Sequence, residues 1–399
     1  MRYLWLKICL LVAFSVPVGL AAETVDSTLT VSLLTCSPGE QSYELYGHTA
    51  LRVRSLQQRL DTVYNYGAFD FTAPHFLWRF VLGECDYMLA GESMELFLMQ
   101  YRYRGSSVTE QVLNLTPVEA YLLAKALKNE SHPDSCVYRY NIFRNNCTTK
   151  ARDAIEAAVL GEVRYPVHGR RNTFRTILHE FTAGHPWARE GNDLLLGAEV
   201  DTLITERDEM FAPLYMMDYA AGAMIVGYRS NYRPLVRETH VLLSENPERQ
   251  RAMREKLPSF PLSPRALGWS LFVAGLLLAA WEWRRRRVFW PVDAVLLTLQ
   301  GLAGALLTFM ALFSLHPGVA SNWQVIVLNP LPLFFVYSVV RADILRKPFV
   351  YHTIAAVILV FFIVLTFLIP QDFCRLILPL ALLLLSRAAV HLIIYKKLV

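Results

Sequence analysis

Tyr140-Asn141-Ile142-Phe143-Arg144-Asn145-Asn146-Cys147-Thr148-Thr149 reads as a short strand running into a helix whose first turn carries a cysteine. Asn145 and Asn146 stand where a helix needs a side-chain oxygen for its orphan N–H groups. Ala151, Ala154, Ile155, Ala158 and Val159 follow at helical spacing. The face they make is narrow and built of small residues, so the helix is expected to lie close against a sheet. A thiol at a helix N-terminus feels the positive end of the macrodipole, which favours the thiolate. Cys147 is therefore a candidate nucleophile. The alternative is a small buried cysteine at a helix start, and a partner histidine decides between the two.

Upstream, residues 27–35 alternate as a first strand, and Cys36-Ser37-Pro38-Gly39-Glu40 turns the chain. Residues 46–54 alternate again, with Val63-Tyr64-Asn65-Tyr66-Gly67 as hairpin partner. His48 thus opens a strand, and Gly47 before it permits a close backbone approach or an unusual turn that lets the imidazole face a helix on the sheet. Helices are expected over 74–82 and 93–103, with a strand at 86–90 between them and another at 107–115. Thr116-Pro117-Val118-Glu119 is a capping box opening a helix to about Asn129. Beyond the cysteine helix lie a basic connection, residues 161–175, and an irregular region holding His179, His185 and Asp201.

With 54% hydrophobic residues and a mean hydropathy of +0.30, the 399-residue chain is too apolar for an ordinary soluble protein. Met1-Arg2 to Lys7, an apolar run to Leu20 and small Ala21-Ala22 have the parts of a secretory signal. The expected division is a signal at 1–22, an exported core at 23–160, an extension and linker at 161–260, and a membrane domain at 261–399. Five apolar spans are read at 266–283, 291–315, 324–340, 349–369 and 375–395. Basic clusters follow the first, third and fifth spans, which puts those ends in the cytoplasm and the N-terminal domain outside it. Arg387 and His391, inside the last span, are expected to snorkel toward its cytoplasmic end. The net charge of +5 comes partly from these loops and does not imply nucleic-acid binding. Cys36, Cys85, Cys136 and Cys147 could form two disulfides, and no CxxC or Cys/His ligand spacing supports a metal site or other cofactor.

A histidine strand preceding a cysteine helix reverses the chain order of papain, but geometry makes a catalytic pair, not order. Cys36-Ser37-Pro38-Gly39, Tyr46-Gly47-His48-Thr49-Ala50-Leu51-Arg52-Val53, Tyr64-Asn65-Tyr66-Gly67-Ala68-Phe69-Asp70-Phe71 and Asn145-Asn146-Cys147-Thr148 resemble the periplasmic domain of Lnb-type lipoprotein N-acyltransferases. Asp193 to Gly197, Glu209 to Pro213, His316-Pro317 and Asn329-Pro330 also fit that family. The resemblance implies an α+β, permuted papain-like domain akin to NlpC and lecithin:retinol acyltransferase proteins, followed by a bundle of five transmembrane helices in the bacterial inner membrane. It further implies Cys147 as nucleophile and His48 as base. Asn65 is either the orienter of the second ring nitrogen or a hairpin residue. Asn146, with Tyr46 beside it in the motif set, is either an oxyanion donor or a helix cap, and the Cys147 N–H is the better oxyanion donor. The implied partners are a phospholipid acyl donor, a diacylated lipoprotein acceptor and the membrane. His316 and Asn329 are expected at the lipid entrance, since a polar residue and a proline are awkward in a lipid-facing helix. Two other classes remain open at this point: a cell-wall amidase or peptidase, and a non-catalytic envelope assembly protein.

Overall fold

The computed structural model describes residues 26–69, 74–227 and 231–396, so the signal-like segment lies outside the described residues. Strands β1 (Thr30–Cys36), β2 (His48–Ser55) and β3 (Leu60–Phe69) form an antiparallel meander, with Cys36 opposite His48 and Leu51 opposite Tyr64. Helix α1 (Phe76–Leu82), β4 (Asp86–Ser93), α2 (Met94–Arg104), β5 (Val108–Leu113), α3 (Pro117–Glu130), β6 (Val137–Arg139) and α4 (Cys147–Ala158) follow. A late strand, β10 (Val236–Leu243), completes a seven-stranded sheet of order β10-β5-β1-β2-β3-β4-β6. Between α4 and β10 lie β7 (Gly161–Arg164), α5 (Phe174–Phe181), α6 (Pro186–Leu195), α7 (Glu206–Glu209), α8 (Pro213–Gly222), β8 (Met224–Gly227) and β9 (Tyr232–Pro234). β7, β8 and β9 make a second, three-stranded sheet.

Alternation along the strands sends residues to two faces. Leu33, Leu51, Val53 and Tyr64 pack with Leu123 and Leu127 of α3, Ala151 and Ile155 of α4, and Met216 and Tyr219 of α8. Leu34, Ala50 and Val63 pack on the other side with Phe97 and Tyr101 of α2. The small-residue face of α4 is what lets its first turn approach the sheet: Ala151 and Ile155 are fully buried. The extension contributes α8 and β10 to this same core and sheet.

Five apolar helices follow α9 (Pro247–Glu255): α10 (Pro264–Arg285), α11 (Trp290–Phe313), α12 (Leu331–Ile344), α13 (Val350–Leu365) and α14 (Ile377–Lys396). Four stretches among the described residues are long and apolar enough to cross a membrane, the third being a 3-10 turn plus α12 over Trp323–Ile344. α13 has only 16 residues and falls short of that length. The break at Asn329-Pro330 is closed by its own side chain: Asn329 Nδ2 donates to Ile326 O and Oδ1 accepts from Leu331 N. Gly304 of α11 lets that backbone come close enough that a Cβ there would clash with it.

Arg387 and His391 do not snorkel. Arg387 lies buried between Glu282 of α10 and Asp293 of α11, with contacts of 2.5–2.8 Å, and His391 donates from Nε2 to Asp293 at 3.0 Å. The counterions sit on other helices, so the cation is held inside the bundle rather than drawn to its end. The five cysteines among the described residues are all free, so the expected option of two disulfides is not taken up there.

Candidate active site

Cys147 occupies the first position of α4, and Asn146 caps it. Asn146 Oδ1 accepts from the N–H groups of Thr148 and Thr149 at 2.9 Å, while its own N–H donates to Thr149 Oγ1. The N–H of Cys147 at this position has no acceptor within the helix. The quoted stretch differs in one respect from its reading as a strand: β6 ends at Arg139, and residues 140–146 form a turn closed by an Asn141–Asn145 bridge. That turn sets the angle at which the helix begins.

His48 starts β2 directly after Gly47, whose φ of +73° admits the turn and whose missing Cβ spares Cys36 O. The Cys147 thiol and the His48 imidazole line the same cleft and act on each other electrostatically, and Thr148 Oγ1 lies 3.8 Å from the sulfur. His48 Nε2 lies 2.7 Å from Asn65 Oδ1, and the same oxygen accepts the Gly67 N–H at 2.7 Å. A backbone N–H can only donate, so this second bond fixes Asn65 Oδ1 as an acceptor. His48 therefore carries its proton on Nε2, which leaves Nδ1 as the basic nitrogen for the thiol.

Burial alone would push the Cys147 thiol up, but the charge of His48 and its hydrogen bond outweigh that and bring it from 9.0 down to about 7. Burial also acts to lower His48. The neighbouring thiolate, the bond to it and the bond to Asn65 reverse the sign and raise the imidazole above its usual value. Both shifts favour a thiolate–imidazolium pair. The pair lies in a cleft of about 550 Å³ whose walls include Tyr46, Asn65, Phe69, Tyr87, Tyr140 and Asn146.

Tyr46 lines this cleft with its hydroxyl bonded to Asn192 Nδ2 at 2.6 Å. Asn146 cannot donate to an oxyanion as one expectation had it: Nδ2 already donates to Ile142 O and Phe211 O. Its contribution is the cap. His316 and Asn329 do not line the thiol cleft. His316 Nε2 bonds to Phe80 O of α1 at 2.6 Å, whereas Asn329 borders a different cavity inside the helical bundle. His179 binds Asp193 at 2.7 Å in a buried network with Arg175 and Asp201, also outside the cleft. Gly67 was missed as a site residue: a Cβ there would lie 2.7 Å from His48 Cε1 and 2.9 Å from Asn65 Oδ1. The available signal was a glycine inside a strand pattern two residues after Asn65.

A buried cysteine and a half-buried histidine share the cleft of an α+β domain that is followed by a bundle of apolar helices, the arrangement of a membrane protein with a candidate site in its N-terminal domain. Residues 21–179 match the family model of the Lnb N-terminal periplasmic domain, and residues 255–398 match that of the Lnb transmembrane domain. The chain belongs to the Lnb-type family and is a multi-pass membrane protein. Neither a curated protein nor a solved structure matches it.

Proposed function

We propose that the protein is a lipoprotein N-acyltransferase of the bacterial inner membrane that carries the acyl group as a thioester on Cys147. The observation that carries this reading is the paired Cys147 thiol and His48 imidazole in a chain of the Lnb family. The Cys147 thiolate attacks the ester carbonyl of a phospholipid, the Cys147 N–H faces the developing oxyanion, and the C–O bond breaks as His48 protonates the departing lysophospholipid oxygen. Neutral His48 then takes a proton from the N-terminal amine of a diacylglyceryl-cysteine lipoprotein as it attacks the thioester. The amide forms, and the thiolate–imidazolium pair is restored. We read the domain as permuted papain-like and α13 as the fifth span.

The route from the leaflet favours lipid over cell-wall substrates. Phe69 of the cleft packs on Phe76 of α1, Phe80 of α1 meets the His316 ring at 5.2 Å, and Trp78 of α1 meets Phe309 of α11 at 5.3 Å. Leu77 and Trp78 are exposed on that helix. His316 belongs to this entrance by holding α1, while Asn329 belongs to it only through the bundle.

The test is intact-mass measurement of purified protein given phospholipid without acceptor, followed by addition of a diacylated lipopeptide. A long-chain acyl adduct on Cys147, discharged to the lipopeptide amine and absent in Cys147→Ala, is expected. An adduct-free wild type that cleaves peptidoglycan fragments would replace this reading with the amidase one.

A further inference from the structure

The buried charge in the helical bundle does not balance. Glu282, Asp293 and Asp343 are buried carboxylates, and Arg387 is the one buried guanidinium among them. With both neighbouring imidazoles neutral, two negative charges are left over in surroundings where unpaired charge costs several kcal/mol. The arrangement of the lone pairs sharpens the point. His391 donates from Nε2 to Asp293 Oδ2, which turns its Nδ1 toward Asp343 Oδ1 at 2.9 Å. That contact lacks hydrogen-bond geometry, and His391 Nδ1, Asp343 Oδ2 and His352 Nε2 are all buried without a partner. The His352 and His391 rings stack at 3.8 Å. A nitrogen lone pair set against a carboxylate oxygen repels unless a proton or a metal ion lies between them, and a proton there would cancel only one of the two surplus charges.

We propose that Asp343, His352 and His391 bind a first-row divalent cation of the Zn²⁺ type. Their donor atoms all lie within 4.8 Å of one another. Bonds of about 2.0–2.2 Å set tetrahedral ligand atoms roughly 3.4 Å apart, so closing the shell takes shifts of about 1 Å together with a turn of the stacked imidazoles that brings their in-plane lone pairs onto one point. The donor set, two imidazoles and a carboxylate, is one that zinc takes with a further position left for water. Asp293 stands behind His391 as the carboxylate that fixes the ring orientation of a ligating histidine. A divalent ion cancels the two surplus charges. One of the three ligands faces open space: His352, with Asp293 and Arg387, borders a cavity of about 210 Å³ in the bundle. The ligands come from α12, α13 and α14, so one ion ties three helices, including the short α13. Sequence spacing hid the site because the ligands stand at positions 343, 352 and 391 on separate helices.

This site is remote from the thiol. Asp293 lies in the first turn of α11, whose far end meets α1 at Phe309, and the helix between them spans roughly 24 Å. The experiment uses full-length, tag-free protein in detergent, stripped with chelator, re-equilibrated with Zn²⁺ and freed of unbound ion. Metal content by mass spectrometry and thermal unfolding are both read. About one Zn²⁺ per chain and a Zn²⁺-dependent rise in Tm are expected for wild type. His352→Ala, which breaks no hydrogen bond of its Nε2, is expected to lose both while keeping Cys147 acylation in the absence of added Zn²⁺. Asp293→Asn, which removes no ligand, is expected to weaken Zn²⁺ affinity by about 10–100-fold. Wild type that holds no more Zn²⁺ than monodisperse His352→Ala, or whose Tm is indifferent to Zn²⁺, overturns the proposal. If His352→Ala does not stay monodisperse, the wild-type Tm response and the Asp293→Asn affinity decide.

Discussion

At Gly67 an added methyl would press on His48 Cε1 and Asn65 Oδ1 at once, at 2.7 and 2.9 Å. One of the two must move, and both set the direction of the imidazole. Gly67→Ala is therefore expected to slow thioester formation by about 10²-fold, the scale of a 1 Å misplacement of a reacting group, with donor KM little changed. A wild-type rate in a correctly folded variant would show that the ring direction does not matter. The pH profile tests the same pair. The thiol is held at about 7, so thioester formation should fall as pH drops through that value and the thiolate is protonated. His48 is raised in part by Asn65; Asn65→Ala removes that contribution, lowers the imidazole and moves the alkaline limb to lower pH. An alkaline limb that stays in place would detach Asn65 from the base. Cys147 and His48 stood out by residue type at a helix start and a strand start, and Asn65 only through the resemblance and its place on the neighbouring strand. Gly67 showed only as a glycine inside a strand pattern, which marks a close approach without saying which side chain makes it.

For the element, the cap decides. Asn146 ties the N-terminus of α4 to Ile142 O and Phe211 O as well as to its own first turn. Asn146→Ala loses a cap of about 1 kcal/mol and leaves two carbonyls short of a donor, so a total loss of about 2 kcal/mol is expected in thermal unfolding. Asn146→Asp separates structure from chemistry: it keeps the accepting oxygen but adds a negative charge beside the thiolate. The acid limb of thioester formation should then shift to higher pH, and an unmoved limb would mean that Asn146 serves the fold alone. Elements with strong local signals were readable. The box at Thr116 and Glu119 is present as expected, with Thr116 N donating to Glu119 Oε2 at 2.7 Å. β10 was not readable, for its side chains are mostly exposed and its partner β5 lies more than a hundred residues earlier. Arg387 was misread for a related reason: its counterions are supplied by helices far away in sequence.

Over the whole molecule, the joint between the two parts is built of polar groups that each read as ordinary loop or helix residues. Gly197 N donates to Gly318 O at 2.7 Å, Gln324 Nε2 to Asp193 O at 2.7 Å, and Asn322 Nδ2 to Leu194 O at 2.8 Å. Glu190 of α6, itself buried, accepts from Leu376 N at 2.7 Å and Arg375 N at 3.1 Å, so a carboxylate of the cleft domain sits at the head of α14. Orphan N–H groups and the positive end of a helix both favour that carboxylate. Glu190→Ala is expected to cost about 1–2 kcal/mol in thermal unfolding while leaving Cys147, His48 and Asn65 untouched. Its functional consequence follows from where the substrate comes from. In the proposed reaction a phospholipid passes from the helical bundle to the cleft, so loosening the joint should slow loading from membrane phospholipid, whereas a short-chain, water-soluble thioester reaches Cys147 without crossing the joint and should load at the wild-type rate. Parallel loss with both donors would mean that Glu190 supports the cleft itself, and unchanged loading with both would mean that the two parts need no fixed register for the lipid to reach the thiol.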